Sequence, residues 1–317
     1  WRLLENGRLT HYRQIDLTAF DYPRIEKVAV SPDESMVAAA LTDGTYIWDL
    51  ETGYRVFSAP EDGYLQYTGL TWSADSRHIA TASAEFGVQV WDVRSQETIA
   101  SLHAQSGTYK TLAWSPDGQM LAVGAEEGWV YLVNAGRGDL RQRLGSGLLL
   151  DNLAFAKDGQ TLALGTESQG IELWTLDGLL VRTLESYHFG PSEVEFSHDG
   201  EFFIALGSDD WQVAAVTVWN THDWSVARTF SVGPRVRYVI YSFELAPDQQ
   251  SAVISHSVPS FPDDKYVIRL ITFPAGDLIM NIVAANENWH MQSTAFSPSG
   301  DKLALSSYTY ADAQRVQ

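Results

Sequence analysis

A seven-residue phrase recurs along this chain, and it constrains the fold more than any other feature. The clearest copy reads Leu-Ala-Trp-Ser-Pro-Asp-Gly at residues 112–118, and an apolar segment follows it. The copies align on the residue that opens each turn: Ser31, Ser73, Ser115, Ala156, Ser197, Ala246 and Ser297. Successive copies lie 42, 42, 41, 41, 49 and 51 residues apart. A period this regular indicates an array of similar structural units.

The period also indicates what each unit is, because a four-stranded propeller blade takes about 40 to 45 residues. An apolar strand enters the turn, where Pro fixes φ and Gly accepts a positive φ, and a second apolar strand leaves it. A third strand then ends in a large residue, at Trp48, Trp91, Val133, Trp174, Trp219 and Ile271. Small residues in the second strands, as at 120–124, are expected where neighbouring blades approach closely. The sequence predicts an all-β, seven-bladed β-propeller of four-stranded antiparallel blades.

The third strand carries a resemblance to a known family. In the first unit Trp48 is followed by Asp49, and Gly53 comes five residues after the Trp. This first unit resembles the WD-repeat β-propeller family, and the specificity of the resemblance comes from the seven in-register copies of the repeated unit along the whole chain. The Gly-His pair of many family members is missing, although Asp43 and Ser83 are suitably placed for the associated network. The repeats therefore resemble divergent, bacterial-type members, and the family implies a protein-interaction scaffold.

The two ends of the chain predict how the ring closes. Strand-like segments at 294–296 and 302–305 are not followed by a Trp, and the segment at 1–12 reads as the missing third and fourth strands. Such an interlocked last blade leaves no free sheet edge. We expect residues 1–317 to form one propeller, with blade seven made of about 290–317 plus 1–15. Because no Met begins it, we also expect the chain to be a piece of a longer protein.

Composition narrows the classes of partner. The net charge is −19, from 40 acidic and 21 basic residues, and no basic stripe is present. Such a surface repels phosphate backbones, so nucleic acid is not expected as a partner. No apolar run approaches the roughly 18 to 20 residues that span a bilayer, so membrane insertion is not expected. The absence of cysteine leaves the compartment open, with the cytoplasm slightly favoured over an extracytoplasmic location.

The sequence predicts no enzyme, metal site or cofactor. It lacks the common zinc-hydrolase, nucleophile-elbow, phosphate-loop and calcium-loop motifs. The acids that do recur occupy the turns of the repeated phrase: Asp33, Asp75, Asp117, Asp158, Asp199 and Asp248. Turns favour Asp at this place, so we interpret these carboxylates as structural rather than catalytic.

A candidate binding surface comes instead from what differs between units. The connection from second to third strand is long in the fifth unit (207–212), the sixth unit (257–266) and the seventh. Aromatic anchors dominate interface energetics, and loops on a rigid scaffold commonly carry function. Together with aromatic residues near the links between blades, these loops predict a partner-binding surface. Its members are Trp211, Phe261, Tyr266, Tyr308, Tyr310, Asp209, Asp210, Asp263, Asp264, Tyr67, Tyr109 and Tyr241.

Three functions remain open from the sequence. The first is a non-enzymatic scaffold or sensor module that binds a partner protein or peptide on this loop-rich face, the acids favouring a partner of basic character. The flanking domains of a longer chain are also possible partners. The second is an extracytoplasmic propeller that binds a small ligand or acts as a hydrolase at the central channel, because such sites need no sequence motif. The third is a structural subunit of an assembly.

Overall fold

Strands make up all the regular secondary structure that the computed structural model of the chain describes. It describes residues 2–3, 9–10, 25–60, 66–103, 108–167, 170–185, 189–209, 213–231, 240–258, 265–283, 289–297, 299–300 and 303–309. The two short N-terminal strands are β1 (Arg2–Leu3) and β2 (Leu9–Thr10). No helix occurs in these ranges, and hence none that is long and apolar enough to cross a membrane.

Six sheets of four strands follow. Blade 1 contains β3 (Ile25–Val30), β4 (Met36–Leu41), β5 (Gly44–Asp49) and β6 (Arg55–Pro60). Blade 2 contains β7 (Tyr67–Trp72), β8 (His78–Ser83), β9 (Gly87–Asp92) and β10 (Glu97–Leu102). Blade 3 contains β11 (Tyr109–Trp114), β12 (Met120–Ala125), β13 (Val130–Asn134) and β14 (Leu140–Leu144).

The remaining strands continue the same order. Blade 4 contains β15 (Leu150–Phe155), β16 (Thr161–Thr166), β17 (Gly170–Thr175) and β18 (Leu180–Leu184). Blade 5 contains β19 (Phe189–Phe196), β20 (Phe202–Asp209), β21 (Val213–Asn220) and β22 (Val226–Ser231). Blade 6 contains β23 (Ile240–Leu245), β24 (Ser251–Val258), β25 (Lys265–Thr272) and β26 (Leu278–Val283). The last hairpin is β27 (Trp289–Phe296) with β28 (Leu303–Thr309).

The prediction of four-stranded antiparallel blades is confirmed, but the number of blades is not. Six sheets have four strands in sequence order, whereas β1–β2 and β27–β28 form two separate two-stranded sheets. The repeated phrase marks only the turn between a first and a second strand. Seven phrases therefore establish seven first hairpins, and the seventh hairpin lacks a third and fourth strand in its described sheet. The predicted seventh blade closed by the two termini is corrected accordingly.

The repeated turn is fixed by a side-chain network that explains its sequence. In blade 3 the Ser115 hydroxyl donates to an Asp117 carboxylate oxygen at 2.5 Å and accepts the Met120 backbone N–H at 2.9 Å. The same carboxylate oxygen accepts the Gln119 N–H at 3.0 Å. The hydroxyl–carboxylate bond recurs in blades 1, 2 and 5 at 2.6, 2.6 and 2.7 Å. The interpretation of these aspartates as turn residues is thus consistent with their bonding.

The Asp that follows the third-strand Trp serves a second turn. A carboxylate oxygen of Asp49 accepts the Thr52 N–H and the Thr52 hydroxyl, both at 2.7 Å. Asp92 accepts the N–H groups of Arg94 and Ser95 at 3.0 and 2.8 Å. These bonds shape the connection to the fourth strand, where a register shift follows in each of the six blades.

The core lies between neighbouring sheets. One apolar cluster joins blades 2 and 3 through Trp114, Val90 and Leu121, and another joins blades 3 and 4 through Leu132 and Leu153. The prediction that small second-strand residues permit close approach is confirmed at position 124. A Cβ on that glycine would lie 2.5 Å from a Leu150 side-chain carbon of blade 4, closer than a real Cβ approaches another atom.

The described chain divides into two compact units, and each is considered by itself. One contains residues 1–70 and 237–317, and the other contains residues 71–236. Within the second, the first strands β11, β15 and β19 pack against one another. That all 317 residues form a single domain stays a prediction.

The long connections predicted in the fifth and sixth units are partly strand. In blade 5 the pairing of β20 with β21 continues to Asp209 opposite Val213. In blade 6 the pairing of β24 with β25 continues to Val258 opposite Lys265. These hairpins extend because the antiparallel register runs on without interruption, so part of each expected loop becomes further rungs of the ladder. The prediction of loop is corrected to strand at residues 207–209, 257–258 and 265–266.

Candidate protein-interaction surface

The second-to-third-strand turn of blade 3 lies against the link from blade 3 to blade 4. The Leu150 N–H, at the end of the link, donates to the Glu126 carbonyl in the turn at 3.4 Å. Gly128 has φ +87°, and a Cβ on it would lie 2.0 Å from the Leu148 carbonyl oxygen. Only glycine fits this position, so the turn and the link are fixed together.

A lysine near this turn interacts with acidic residues of blades 3 and 4. Lys110 Nζ, on β11, lies 2.7 Å from Asp151 Oδ1 and 3.6 Å from Glu167 Oε1. Burial disfavours the charged ammonium. The hydrogen bond to Asp151 and the charges of Asp151, Glu167 and Glu126 outweigh that effect, and the pKa of Lys110 is raised above its ordinary value. Lys110 therefore stays charged at neutral pH and holds the carboxylates in place.

An aromatic residue completes this end of blade 3. Trp129 is half-buried, and the guanidinium carbon of Arg143 lies 4.1 Å from the centroid of its ring. This distance is well within the range of a cation–π contact. Leu149, on the link to blade 4, is exposed, and its carbonyl accepts the Glu167 N–H at 2.9 Å. We name Trp129, Leu149, Lys110, Glu126, Glu127, Asp151 and Glu167 the acidic surface.

A buried tyrosine lies next to Lys110 of the acidic surface. Tyr109 is 7% exposed, and its ring meets Tyr131 edge-on, with the centroids 6.1 Å apart. Burial raises the pKa of Tyr109, and the neighbouring Tyr131 and Glu127 raise it further. The Tyr109 phenol therefore stays neutral at pH 7. Packing of its ring stabilises β11, the strand that also carries Lys110.

The acidic surface combines charged, aromatic and aliphatic side chains. Four carboxylates, one lysine, one tryptophan and one exposed leucine can bind cations and apolar groups. The residues that the structure describes contain no group of three or more His, Cys, Asp or Glu side chains placed to hold a metal ion.

The structure places the sequence-predicted site residues unevenly. Tyr67 and Tyr109 are buried, at 5% and 7% exposure, and their part in partner binding stays a prediction. Both are strand residues whose side chains pack inside the fold, which their position near a link does not reveal. Four others lie on strands: Asp209 on β20, Tyr241 on β23, Tyr266 on β25 and Tyr308 on β28. The rest lie outside the described residues: Trp211, Phe261, Tyr310, Asp210, Asp263 and Asp264.

The acidic surface is absent from the sequence-based prediction, which rests on long loops. The turn at 126–129 is short, yet it reads Glu-Glu-Gly-Trp. Its Trp lies outside the third-strand position that the repeat explains. The sequence signal for the acidic surface was one Trp and two acidic residues that the repeat does not require.

Profiles of known families match two segments of the chain. The WD domain, G-beta repeat, matches residues 54–92, and the anaphase-promoting complex subunit 4 WD40 domain matches residues 103–147. The second match includes the turn of the acidic surface. A chain in the crystal structure of the mitotic checkpoint complex shares the fold, with a TM-score of 0.72 and 19% identity. That likeness covers 90% of this chain and 84% of the other.

Curated relatives match shorter stretches. Pre-mRNA-processing factor 19 homolog 2 of Arabidopsis thaliana is 28% identical over 33% of this chain and 20% of its own length. Telomerase protein component 1 of Rattus norvegicus is 32% identical over 51% of this chain and 6% of its own length. Small ribosomal subunit protein RACK1 of Brassica napus is 29% identical over 36% of this chain and 40% of its own length. The chain thus spans well under two thirds of these relatives.

These comparisons confirm the resemblance that the repeats indicated. The relatives named here come from plants and a rodent, so they do not support the expectation of bacterial-type repeats. Propellers of this family typically serve as protein-interaction scaffolds. The repeats of this chain are thus similar to those of the WD-repeat family, and they form four-stranded blades of the β-propeller fold.

Proposed function

We propose that this chain is a non-enzymatic scaffold or sensor module that binds a basic or mixed polypeptide segment at the acidic surface. The observation that carries the proposal is the half-buried Trp129 beside a turn of acids whose neighbours are held by Lys110. Tryptophan is among the residue types enriched in the contacts that dominate interface energetics.

Charge favours a basic partner. Four carboxylates belong to the acidic surface (Glu126, Glu127, Asp151 and Glu167), and Lys110 and Arg143 are the bases beside them, which leaves a local charge of −2. At low ionic strength the net charge of −19 on the whole chain adds to this attraction. Electrostatic complementarity of this kind raises the association rate and selects against acidic partners.

Rigidity favours binding without a large ordering cost. The acidic turn closes a hairpin of β12 and β13, and Gly128 locks it against the link to blade 4. A surface that is already ordered loses little conformational entropy when a partner docks. The predicted contact region that includes Trp211, Phe261 and Tyr266 remains part of the proposal.

The test is an array of random 15-residue peptides spanning net charges from −5 to +5, probed with the labelled chain. We expect the bound peptides to be net positive and enriched in apolar residues. Trp129→Ala and the double variant Glu126→Lys/Glu127→Lys should each reduce the bound signal by about tenfold, because both remove central contacts.

The matched control is Glu97→Lys/Glu201→Lys, which makes the same change of charge at exposed positions outside the acidic surface. It should retain most of the signal, with a modest loss from the weaker overall field. Equal losses in the two double variants would show that net charge alone drives binding, and the assignment to the acidic surface would then be wrong.

A further inference from the structure

Blade 3 contains a pair of contacting side chains that departs from the repeat. The register of β13 with β14 places Arg143 opposite Tyr131, and Trp129 lies two residues before Tyr131. Residues two apart along an extended chain share a face, so Trp129 is a diagonal neighbour of Arg143. This placement explains why the guanidinium of Arg143 lies over the Trp129 ring, with its carbon 4.1 Å from the ring centroid.

The same two positions are occupied differently in the other five four-stranded blades. At the position of Trp129 these blades have glycine or a small aliphatic residue: Gly44, Gly87, Gly170, Ala215 and Val267. At the position of Arg143 they have short polar residues: Ser58, Ser101, Thr183, Thr229 and Asn281. The fold therefore requires neither the aromatic ring nor the cation, and among these six blades only blade 3 has either.

The contact that holds Arg143 over the ring is weak. Arg143 is exposed, so the ring face that it covers is on the solvent side. Among the residues that the structure describes, its guanidinium has no ion-pair or hydrogen-bond partner, and the contact with the ring alone holds it. A cation–π contact at an exposed site contributes a factor of about two to five to an equilibrium constant. A competing cation can therefore displace Arg143 from the ring without a large loss of affinity.

We propose that Trp129 binds an arginine of the partner segment, and that Arg143 occupies the ring until the partner displaces it. This inference rests on the proposed function, because it names the side chain that the acidic surface recognises. A partner arginine gains the contact with the ring and also ion pairs with the carboxylates of Glu126 and Glu127 in the adjoining turn. Arg143 has no such ion pairs within the described part of the chain, so the exchange favours the partner.

Arginine fits this place better than lysine does. A planar guanidinium can stack on an aromatic ring and still direct its N–H groups sideways to carboxylates, whereas an ammonium is a compact, strongly hydrated charge. Arg143 also adds specificity. An apolar segment without a cation would have to break the contact between Arg143 and the ring and would not replace it, so such segments are selected against.

The test measures dissociation constants for arginine-containing peptides that the charged array selects. Arg143→Ala removes the competing cation. The matched control Arg141→Ala makes the same change of charge on the same strand. We expect Arg143→Ala to bind these peptides about two to five times more tightly than Arg141→Ala does, because only the first variant uncovers the ring. Arg143→Gln, which keeps part of the side-chain stem, should behave like Arg143→Ala.

A second measurement identifies the contact itself. Each arginine of a bound peptide is replaced in turn by citrulline, an uncharged side chain of nearly the same shape. One replacement should weaken binding to the intact chain, and the loss should be about two to five times smaller for Trp129→Leu, which keeps an apolar side chain but has no ring. Replacement of the other peptide arginines should cost the same in both proteins.

The outcomes separate this inference from the proposed function. Suppose that Trp129→Ala loses the peptides but Arg143→Ala binds them no more tightly than Arg141→Ala does. The displacement of Arg143 would then be wrong, and the proposed function would stand. Citrulline losses that are equal for the intact chain and for Trp129→Leu would likewise overturn the contact between the partner arginine and the ring. If the intact chain bound no positive peptide more strongly than Trp129→Ala does, both the proposed function and this inference would be wrong.

Discussion

The two ends of a blade hairpin in this chain use acidic residues in different ways. At the first-to-second-strand turn, Asp117 recurs in equivalent form in other blades, and its carboxylate accepts bonds from its own turn. At the second-to-third-strand turn the sequence changes from unit to unit, and Glu126 and Glu127 lie where blade 1 has Thr42 and Asp43. Acids that repeat with the fold are engaged by the fold, and acids that do not repeat are the candidates for function.

The same contrast holds for the aromatic residues. Three of the four third-strand tryptophans, Trp48, Trp91 and Trp219, are 4 to 5% exposed and fill the space between sheets. The fourth, Trp174, is half-buried, and its indole N–H donates to Glu172 at 2.8 Å. Trp129 lies outside that position, at the acidic turn, and is only half-buried. We therefore expect a residue's departure from the repeat to be more informative about binding than its chemical type.

The largest expected effect is the loss of the acidic turn through Gly128→Ala. A Cβ there would meet the Leu148 carbonyl oxygen at 2.0 Å in a backbone conformation with φ +87°. We expect the free energy of unfolding to fall by about 3 kcal/mol, from backbone strain and a steric clash together. Urea denaturation followed by fluorescence measures it.

The control for this variant lies at the other end of the same blade. Gly118 has φ +70°, but an added methyl group would find nothing within 4 Å, so Gly118→Ala should cost only about 1 kcal/mol. Equal costs for the two variants would mean that the link at 145–149 does not constrain the acidic turn.

The next effect tests the repeated turn. Ser115→Ala removes the hydroxyl that donates to Asp117 and accepts the Met120 N–H, and should cost about 1 to 2 kcal/mol. Blade 4 has Ala at the position of this serine, and the Thr161 hydroxyl there donates to Asp158 Oδ2 at 3.0 Å. Thr161→Val should therefore cost a similar amount. Thermal unfolding of both variants checks the prediction. An unchanged stability of Thr161→Val would show that the Thr161 hydroxyl does not do in blade 4 what the Ser115 hydroxyl does in blade 3.

A smaller change in the free energy of unfolding is expected at low pH. The Ser115 hydroxyl and the Gln119 N–H hold the pKa of Asp117 below its ordinary value. A lowered folded-state pKa contributes stability above the unfolded-state pKa, about 3.9, and that contribution is lost as the pH falls through the folded-state pKa. The stability difference between the intact chain and Asp117→Asn should be full at pH 7 and shrink below about pH 4. Urea titrations at several pH values measure it, and a difference that grows in acid would contradict the assignment.

The smallest change in the free energy of unfolding is expected at high pH, from Lys110 of the acidic surface. The pKa of Lys110 is raised, so its contribution to stability is complete below the unfolded-state pKa of about 10.4 and is lost as the pH rises through the folded-state pKa. Because these groups are partly exposed, Lys110→Met should cost less than about 1 kcal/mol at pH 7. The cost should decline as the pH rises beyond about 10 in the same urea assay. A constant cost would show that Lys110 acts through packing alone.

Much of the fold could be predicted from the sequence because each repeat is specified by residues that lie close together in sequence. The Ser and Asp of the turn bond within one blade, and each copy also contains its own apolar strands and third-strand residue, so each copy is visible by itself. The number of blades was the exception. It depends on whether distant segments share one sheet, and the turn phrase contains no information about that pairing.

The candidate site was less predictable for a related reason. Tyr109 and Trp129 are both aromatic residues near one end of blade 3, yet one is buried against Tyr131 and the other is half-exposed. Strand position decides which face a side chain occupies, and a shift of one residue reverses it. The cluster around Lys110 joins residues 41 apart in sequence through the packing of β11 on β15. Such contacts follow from the fold and have no motif.

The most direct test of the contrast between the two turns compares two variants with the same chemical change, Asp117→Asn and Glu126→Gln. Each neutralises one carboxylate, and each is measured for its free energy of unfolding and for its signal on the charged peptide array. We predict that Asp117→Asn lowers stability and leaves array binding intact, whereas Glu126→Gln leaves stability intact and weakens binding of positive peptides by about threefold. An unchanged array signal for Glu126→Gln, or a loss of binding for Asp117→Asn at full stability, would contradict the division between the two turns.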